Sequence, residues 1–130
     1  MRIEIFALCD AATGDFGKLC ILGAFDTIET AKTPAVHPQC TIALRVRFER
    51  IERGEHKVVV HFVDSDGKSV IPSTQGTITI NFANEQSSGA ANLILNIQRL
   101  TLEKFGEYSI DLAIDGQQKA SLPLFLKERK

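Results

Sequence analysis

The chain contains no tryptophan and a single tyrosine, Tyr108. That scarcity argues against the stacked aromatic platforms that hold sugars or single-stranded nucleic acid. Net charge is also missing: 15 basic and 16 acidic side chains leave −1. A nucleic-acid-binding surface usually shows as a basic excess, so no nucleic-acid partner is expected. Long apolar runs are absent. Arg2 and Glu4 interrupt "MRIEIFALC" well short of a signal-peptide core or a membrane span, and no membrane association is expected. The 3 cysteines, Cys9, Cys20 and Cys40, are odd in number and follow no Cys-x-x-Cys spacing. They read as reduced thiols of a cytoplasmic protein, not as zinc ligands or a disulfide framework. Internal repeats and linkers rich in proline, glycine or serine are lacking too. Residues 1–130 are therefore expected to form a single β-sandwich domain.

What is present is a globular composition, 44% hydrophobic and 24% charged. A domain of this size buries roughly two thirds of its unfolded surface and needs no metal or disulfide to fold. Period-two alternation recurs along the chain, broken by turn residues every ten or so positions. The pattern predicts an all-β fold, an antiparallel immunoglobulin-like β-sandwich of about 7–9 strands. Strands are predicted at about 2–9, 18–25, 41–49, 57–63, 69–71, 77–82, 92–98, 108–114 and 121–126. Pro34 and Pro38 keep "DTIETAKTPAVHP" an irregular connection. "ANEQSSGAA" reads as a surface loop. Pro123 cannot donate to a ladder, so the last strand is expected at a sheet edge or with that residue turned outward.

"TIALRVRFE" is the cleanest amphipathic strand. Ile42, Leu44, Val46 and Phe48 share one face, and Thr41, Arg45, Arg47 and Glu49 the other. A tight turn at Glu52–Gly54 predicts a hairpin with "KVVVHFV". In that register Ile51 faces Glu55, Phe48 faces Val58, Val46 faces Val60 and Arg45 faces His61. Arg45, Arg47 and His61 would then form a basic patch without an acid on the same ladder. It reads as a solvated face or as a docking surface for an acidic partner.

In "KFGEYSIDLAIDG", Tyr108 begins the buried face that continues through Ile110, Leu112 and Ile114. Gly106-Glu107-Tyr108-Ser109-Ile110 resembles the tyrosine corner of immunoglobulin-like sandwiches, where a tyrosine at the start of the penultimate strand bonds back to the preceding backbone. The resemblance implies a structural role for Gly106 and Tyr108. Ile110 stands where antibody domains carry a cysteine. Over most of the chain, Cys9-Asp10-Ala11-Ala12, then Gly17-Lys18-Leu19, then Gly23-Ala24 resemble a family of small uncharacterised bacterial proteins. That resemblance implies a fold and supplies no activity.

The chemical candidates are few. A hairpin centred between Gly14 and Asp15 would set Cys9 opposite Cys20, with Cβ atoms ~4.5–5.5 Å apart. Such a pair is a redox or metal half-site, or two small apolar residues in a core; free cysteine usually packs as the latter. His37, His56 and His61 show no metal spacing, and His37 with Cys40 would need a third group to orient the ring. Asp10, Asp15, Asp26, Asp64 and Asp66 sit at strand ends and turns, where calcium could gather them at one end of a sandwich. "DSDG" is equally an ordinary turn. Nucleophile elbows, phosphate loops and His-Glu-x-x-His are absent. No catalytic residue, cofactor or metal is expected. The leading expectation is a non-catalytic binding or assembly module that presents a sheet face or end loops to a protein partner, a second copy among the options. The alternatives are a calcium- or small-ligand-binding C2-like sandwich and a hydrolase of unidentified type.

Overall fold

The computed structural model describes residues 1–83 and 85–130. Among the described residues nine strands follow one another: β1 (Arg2–Thr13), β2 (Cys20–Ala24), β3 (Thr27–Thr30), β4 (Ala35–Glu49), β5 (Gly54–Val63), β6 (Thr74–Ile80), β7 (Ser88–Leu102), β8 (Gly106–Ile114) and β9 (Gln117–Glu128). They build two sheets, a four-stranded one ordered β2-β1-β4-β7 and a five-stranded one ordered β3-β9-β8-β5-β6. The two packed sheets give an all-β sandwich. Among the described residues there is no α-helix, and so none long and apolar enough to cross a membrane.

Alternation decides which side chains meet between the sheets. Ile42, Leu44, Val46 and Phe48 of β4 face Val58, Val60 and Phe62 of β5 and Ile110, Leu112 and Ile114 of β8 in one continuous buried cluster. Full burial of each such side chain favours folding by about 1.5–3 kcal/mol. Tyr108 starts the inward row of β8, with its ring buried. Its hydroxyl donates to the Lys104 carbonyl at 2.5 Å and accepts the Lys104 N–H at 3.3 Å. Gly106, at φ 137, lets the chain make this approach.

The chain departs from the alternation-based expectation in several places. β4 and β5 do not pair. β4 lies between β1 and β7, and β5 between β8 and β6. A 3-10 turn at Arg50–Glu52 carries the chain from one sheet to the other. It is closed by a reciprocal cap, with the Glu49 N–H donating to Glu52 at 2.8 Å. The apolar rows of β4 and β5 thus meet across the core instead of along a ladder, and the register that set Arg45 opposite His61 does not occur. β3 pairs with β9 in parallel, so the larger sheet is mixed. The predicted irregular connection holds β3 and the start of β4, and β7 begins at Ser88 inside the predicted loop. Near 69–71 only a bridge between Val63 and Ser69 forms.

β9 is not an edge strand, since β3 and β8 flank it. Pro123 is nonetheless accommodated as an edge residue would be. β3 covers only Phe125 to Glu128, and the Phe125 N–H turns to Asp26 at 2.7 Å. Backbone groups two residues apart point the same way, so the missing donor of Pro123 faces the stretch beyond β3.

Candidate functional site

The outer face of the smaller sheet gathers most of the polar chemistry. β1 carries one extra residue between Ile3 and Ile5 relative to β4. That bulge re-aims Glu4. Its carboxylate takes Arg45 Nε at 2.9 Å and Arg47 Nε at 2.6 Å, with an Arg2 guanidinium nitrogen at 3.7 Å. The Arg47 guanidinium, joined by Arg45, holds the Glu4 carboxyl below its ordinary value against the opposing effect of partial burial. Arg45 also donates to the Asn92 side chain at 2.9 Å and to the Gly17 carbonyl at 3.2 Å. Arg47 reaches the Ser88 hydroxyl at 3.1 Å.

The predicted basic patch therefore divides. Arg45 and Arg47 stay together, but their acid comes from β1, a neighbour that the hairpin register could not supply. His61 lies in the other sheet, opposite Asp111 of β8. Polar alternation in "RIEIF" was the available signal for Glu4; the bulge that aims it has none.

The segment from Asp10 to Ala24 continues β1 into β2 as an arm. β1 leaves β4 after Cys9, and the arm's tip returns over the outer face. An added Cβ at Gly14 would lie 3.4 Å from Ile94 Cδ1, and Arg45 holds the Gly17 carbonyl. This cover explains why Cys9, Thr41 and Ala43 are fully buried on a face that alternation assigns to solvent. Cys9 faces Ala24 and Thr13 faces Cys20, so Cys9 and Cys20 do not oppose each other. The 3-10 turn at Asp15–Gly17 makes the loop longer than a hairpin centred at Gly14 and Asp15 allows. Cys20 is exposed, whereas Cys9 and Cys40 are buried. Burial, with Cys9 and Asp10 nearby, pushes the Cys40 thiol up to about 11.

Asp10 and Gly23 come together within the arm. A Cβ on Gly23, at φ 71, would stand 2.5 Å from Asp10 Oδ2, so the Asp10 carboxylate would have to shift to admit it. At the tip, Phe16 adopts φ 56 and is 99% exposed. Leu22 on β2 is also exposed. Reading for titratable chemistry passes over Phe16; its place beside Gly17 in a turn was the only hint.

Beside the arm a cleft of about 480 Å³ is lined by Asp10, Gly23, Phe25, Glu29, His37 and Arg129. His37 packs against the Phe25 ring with centroids 5.6 Å apart. It does not join Cys40, which faces the core.

The remaining aspartates serve local turns. Asp64 accepts the N–H groups of Asp66 and Lys68, each at 2.9 Å, and Asp66 pairs with Lys104 at 3.1 Å. Asp26 accepts the Thr27 hydroxyl, and Asp15 stands on the arm. Among the described residues no three carboxylates, histidines or thiols stand close enough to share a metal ion.

Among the described residues, His56 is the one ring held by a carboxylate. Its Nδ1 lies 2.6 Å from Asp115 and its Nε2 lies 2.6 Å from the Glu52 carbonyl. Both nitrogens are occupied, so this ring has no lone pair or N–H free for a substrate proton.

No curated protein matches the chain. In fold it is similar to the alkylpurine DNA glycosylase AlkC of Pseudomonas fluorescens, solved bound to DNA containing an abasic site analog. The TM-score is 0.50 at 7% identity, over 97% of this chain and 30% of the glycosylase. The chain thus spans 30% of that protein's length, and at this identity the likeness concerns the fold alone. Residues 4–127 match a family of unknown function, DUF6941, to which this chain belongs.

Proposed function

We propose that this protein is a non-catalytic assembly module, which offers the outer face of its smaller sheet and the arm Asp10–Ala24 to a protein partner. Phe16 carries this reading. A phenylalanine ring at 99% exposure, on a backbone with φ 56, is unfavourable twice over in the isolated chain. The arm that holds it is tied down, because Arg45 donates to the Gly17 carbonyl and Gly14 lies close enough to Ile94 that an added Cβ would touch it. A rigid, exposed aromatic is the usual anchor of a protein interface. The finer reading of the fold is immunoglobulin-like. β9, β8 and β5 run side by side as the last, penultimate and third strands do in that fold, and Tyr108 bonds back to Lys104. One buried cluster draws on both sheets, which supports a single domain over 1–130. Three free thiols favour a reducing cytoplasm.

The test is affinity capture from source-cell extract with the wild-type chain and with Phe16→Asn, which suits the left-handed backbone. A stoichiometric partner bound by the first and lost by the second is expected. Equal recovery by both would refute the role of the arm. The cleft beside Asp10 and His37 favours a second reading, a small-ligand site. It is tested by whether Asp10→Ala and His37→Ala abolish a thermal shift given by any member of a metabolite panel.

A further inference from the structure

The smaller sheet ends on β7, and no strand covers its far side among the described residues. From Ser88 to Gln98 this edge carries no charged residue and no proline. Every position in that stretch sits in a continuous ladder with Gln39–Glu49 of β4. Edge strands in monomers are usually blunted by lysine, proline, bulges or shortness. β7 has none of these before Arg99, whose φ of 56 ends the regular stretch. Of the other edges, β2 and β3 are short and the open part of β9 carries Pro123, while β6 is a second uncharged edge, Thr74–Ile80, shorter than β7.

Resting on the assembly-module reading, we propose that the partner is a second copy of this chain, joined by antiparallel pairing of β7 with β7 about a two-fold axis. The charge pattern suits self-pairing, because a neutral stretch brought against itself sets no like charges opposite one another. Size suits it as well. A regular edge of this length spans ~37 Å, and a two-layer sandwich is about 20 Å deep, which gives about 700 Å² per copy and about 1,400 Å² in all, within the range of stable interfaces. β6 closes the side flush with β7, since Gly76 sits directly under Leu93. Phe16 stands at the rim of the same edge. A Cβ added at Gly14 would lie 3.4 Å from Ile94 Cδ1, and Phe16 is only two residues on, so its Cα lies within ~8 Å of Gly14. In the pair its ring would lie on the partner's outer sheet face and leave the water.

Sedimentation equilibrium of the purified chain is expected to show a reversible monomer–dimer equilibrium. Phe16→Asn should weaken the dimer by about tenfold or more while the unfolding midpoint of the monomer stays at or above that of the wild type. Ile94→Lys should remove the dimer. Because that variant could disturb the fold, hydrogen exchange on the wild-type chain supplies a second measure. Amides of Asn92–Gln98 that point away from β4 should be protected at high protein concentration and lose protection on dilution. A monomer at every concentration would overturn the self-pairing yet leave capture of another protein through Phe16 intact. A dimer whose β7 amides exchange equally at all concentrations would overturn the edge as its interface.

Discussion

His56 should make the stability of this protein depend on pH, and the size of the effect can be worked from its contacts. A neutral imidazole has one N–H, but both ring nitrogens face acceptors at 2.6 Å, Asp115 and the Glu52 carbonyl. Only the imidazolium donates to both. Burial opposes the charge, yet Asp115 and the Glu52 carbonyl outweigh it and hold the pKa above the ordinary 6.5. The ring also stacks on Phe48 with centroids 4.5 Å apart. His56→Phe keeps an aromatic on that stack and deletes both donors. Asp115 is half exposed, which places its bond near the surface-pair range of ~0.2–1 kcal/mol, and the better-shielded bond to Glu52 adds about 1 kcal/mol. The expected loss is about 1–2 kcal/mol, or about 3–8 °C in Tm for a domain of this size.

The sign follows from linkage. A raised histidine pKa gives stability that is complete below 6.5 and lost as pH rises through the folded value. Asp115 and Glu52 run the other way. The His56 hydrogen bond lowers Asp115 below 3.8, and the Met1 amino group lowers Glu52 below 4.5. Their contribution is present above those values and lost as pH falls through the lowered ones. The cluster is therefore complete between about 4.5 and 6.5. Urea midpoints of wild type and His56→Phe should differ most in that window and converge at alkaline pH. A difference that stays constant across the range would refute the doubly donating ring.

Three further outcomes are expected. Tyr108→Phe should lower stability by ~1–3 kcal/mol by stranding the Lys104 carbonyl, read as a shift in denaturant midpoint with unchanged slope. Gly23→Ala should destabilise by more than ~1 kcal/mol, from both its φ of 71 and the collision with Asp10. Adding Asp10→Ala should recover the collision part and leave the backbone part, so full recovery or none would both contradict this account. In the native protein a thiol reagent should titrate Cys20 quickly, while Cys9 and Cys40 react only after unfolding. Immediate reaction of all three would show that the arm does not cover Cys9.

Alternation along the chain determined the all-β class, the inward rows of β4 and β8 and the place of Tyr108, because a side chain's face depends only on its own strand. The hydrogen bonds between Tyr108 and Lys104 join residues four apart, so they lie within reach of a local reading. Which strands become neighbours was not legible. Ile42, Leu44, Val46 and Phe48 bury the same surface whether they meet Val58 and Val60 along a ladder or across the core, so apolar pattern cannot separate the two. The capped turn at Arg50–Glu52 chose the second, and with that choice Arg45 and His61 parted and Glu4 came to the arginines. Pairing also left β7 as an open edge and folded the arm over Cys9 and Ala43. Those features arise from contacts between residues far apart in the chain, and local pattern carries no information about which distant segment arrives.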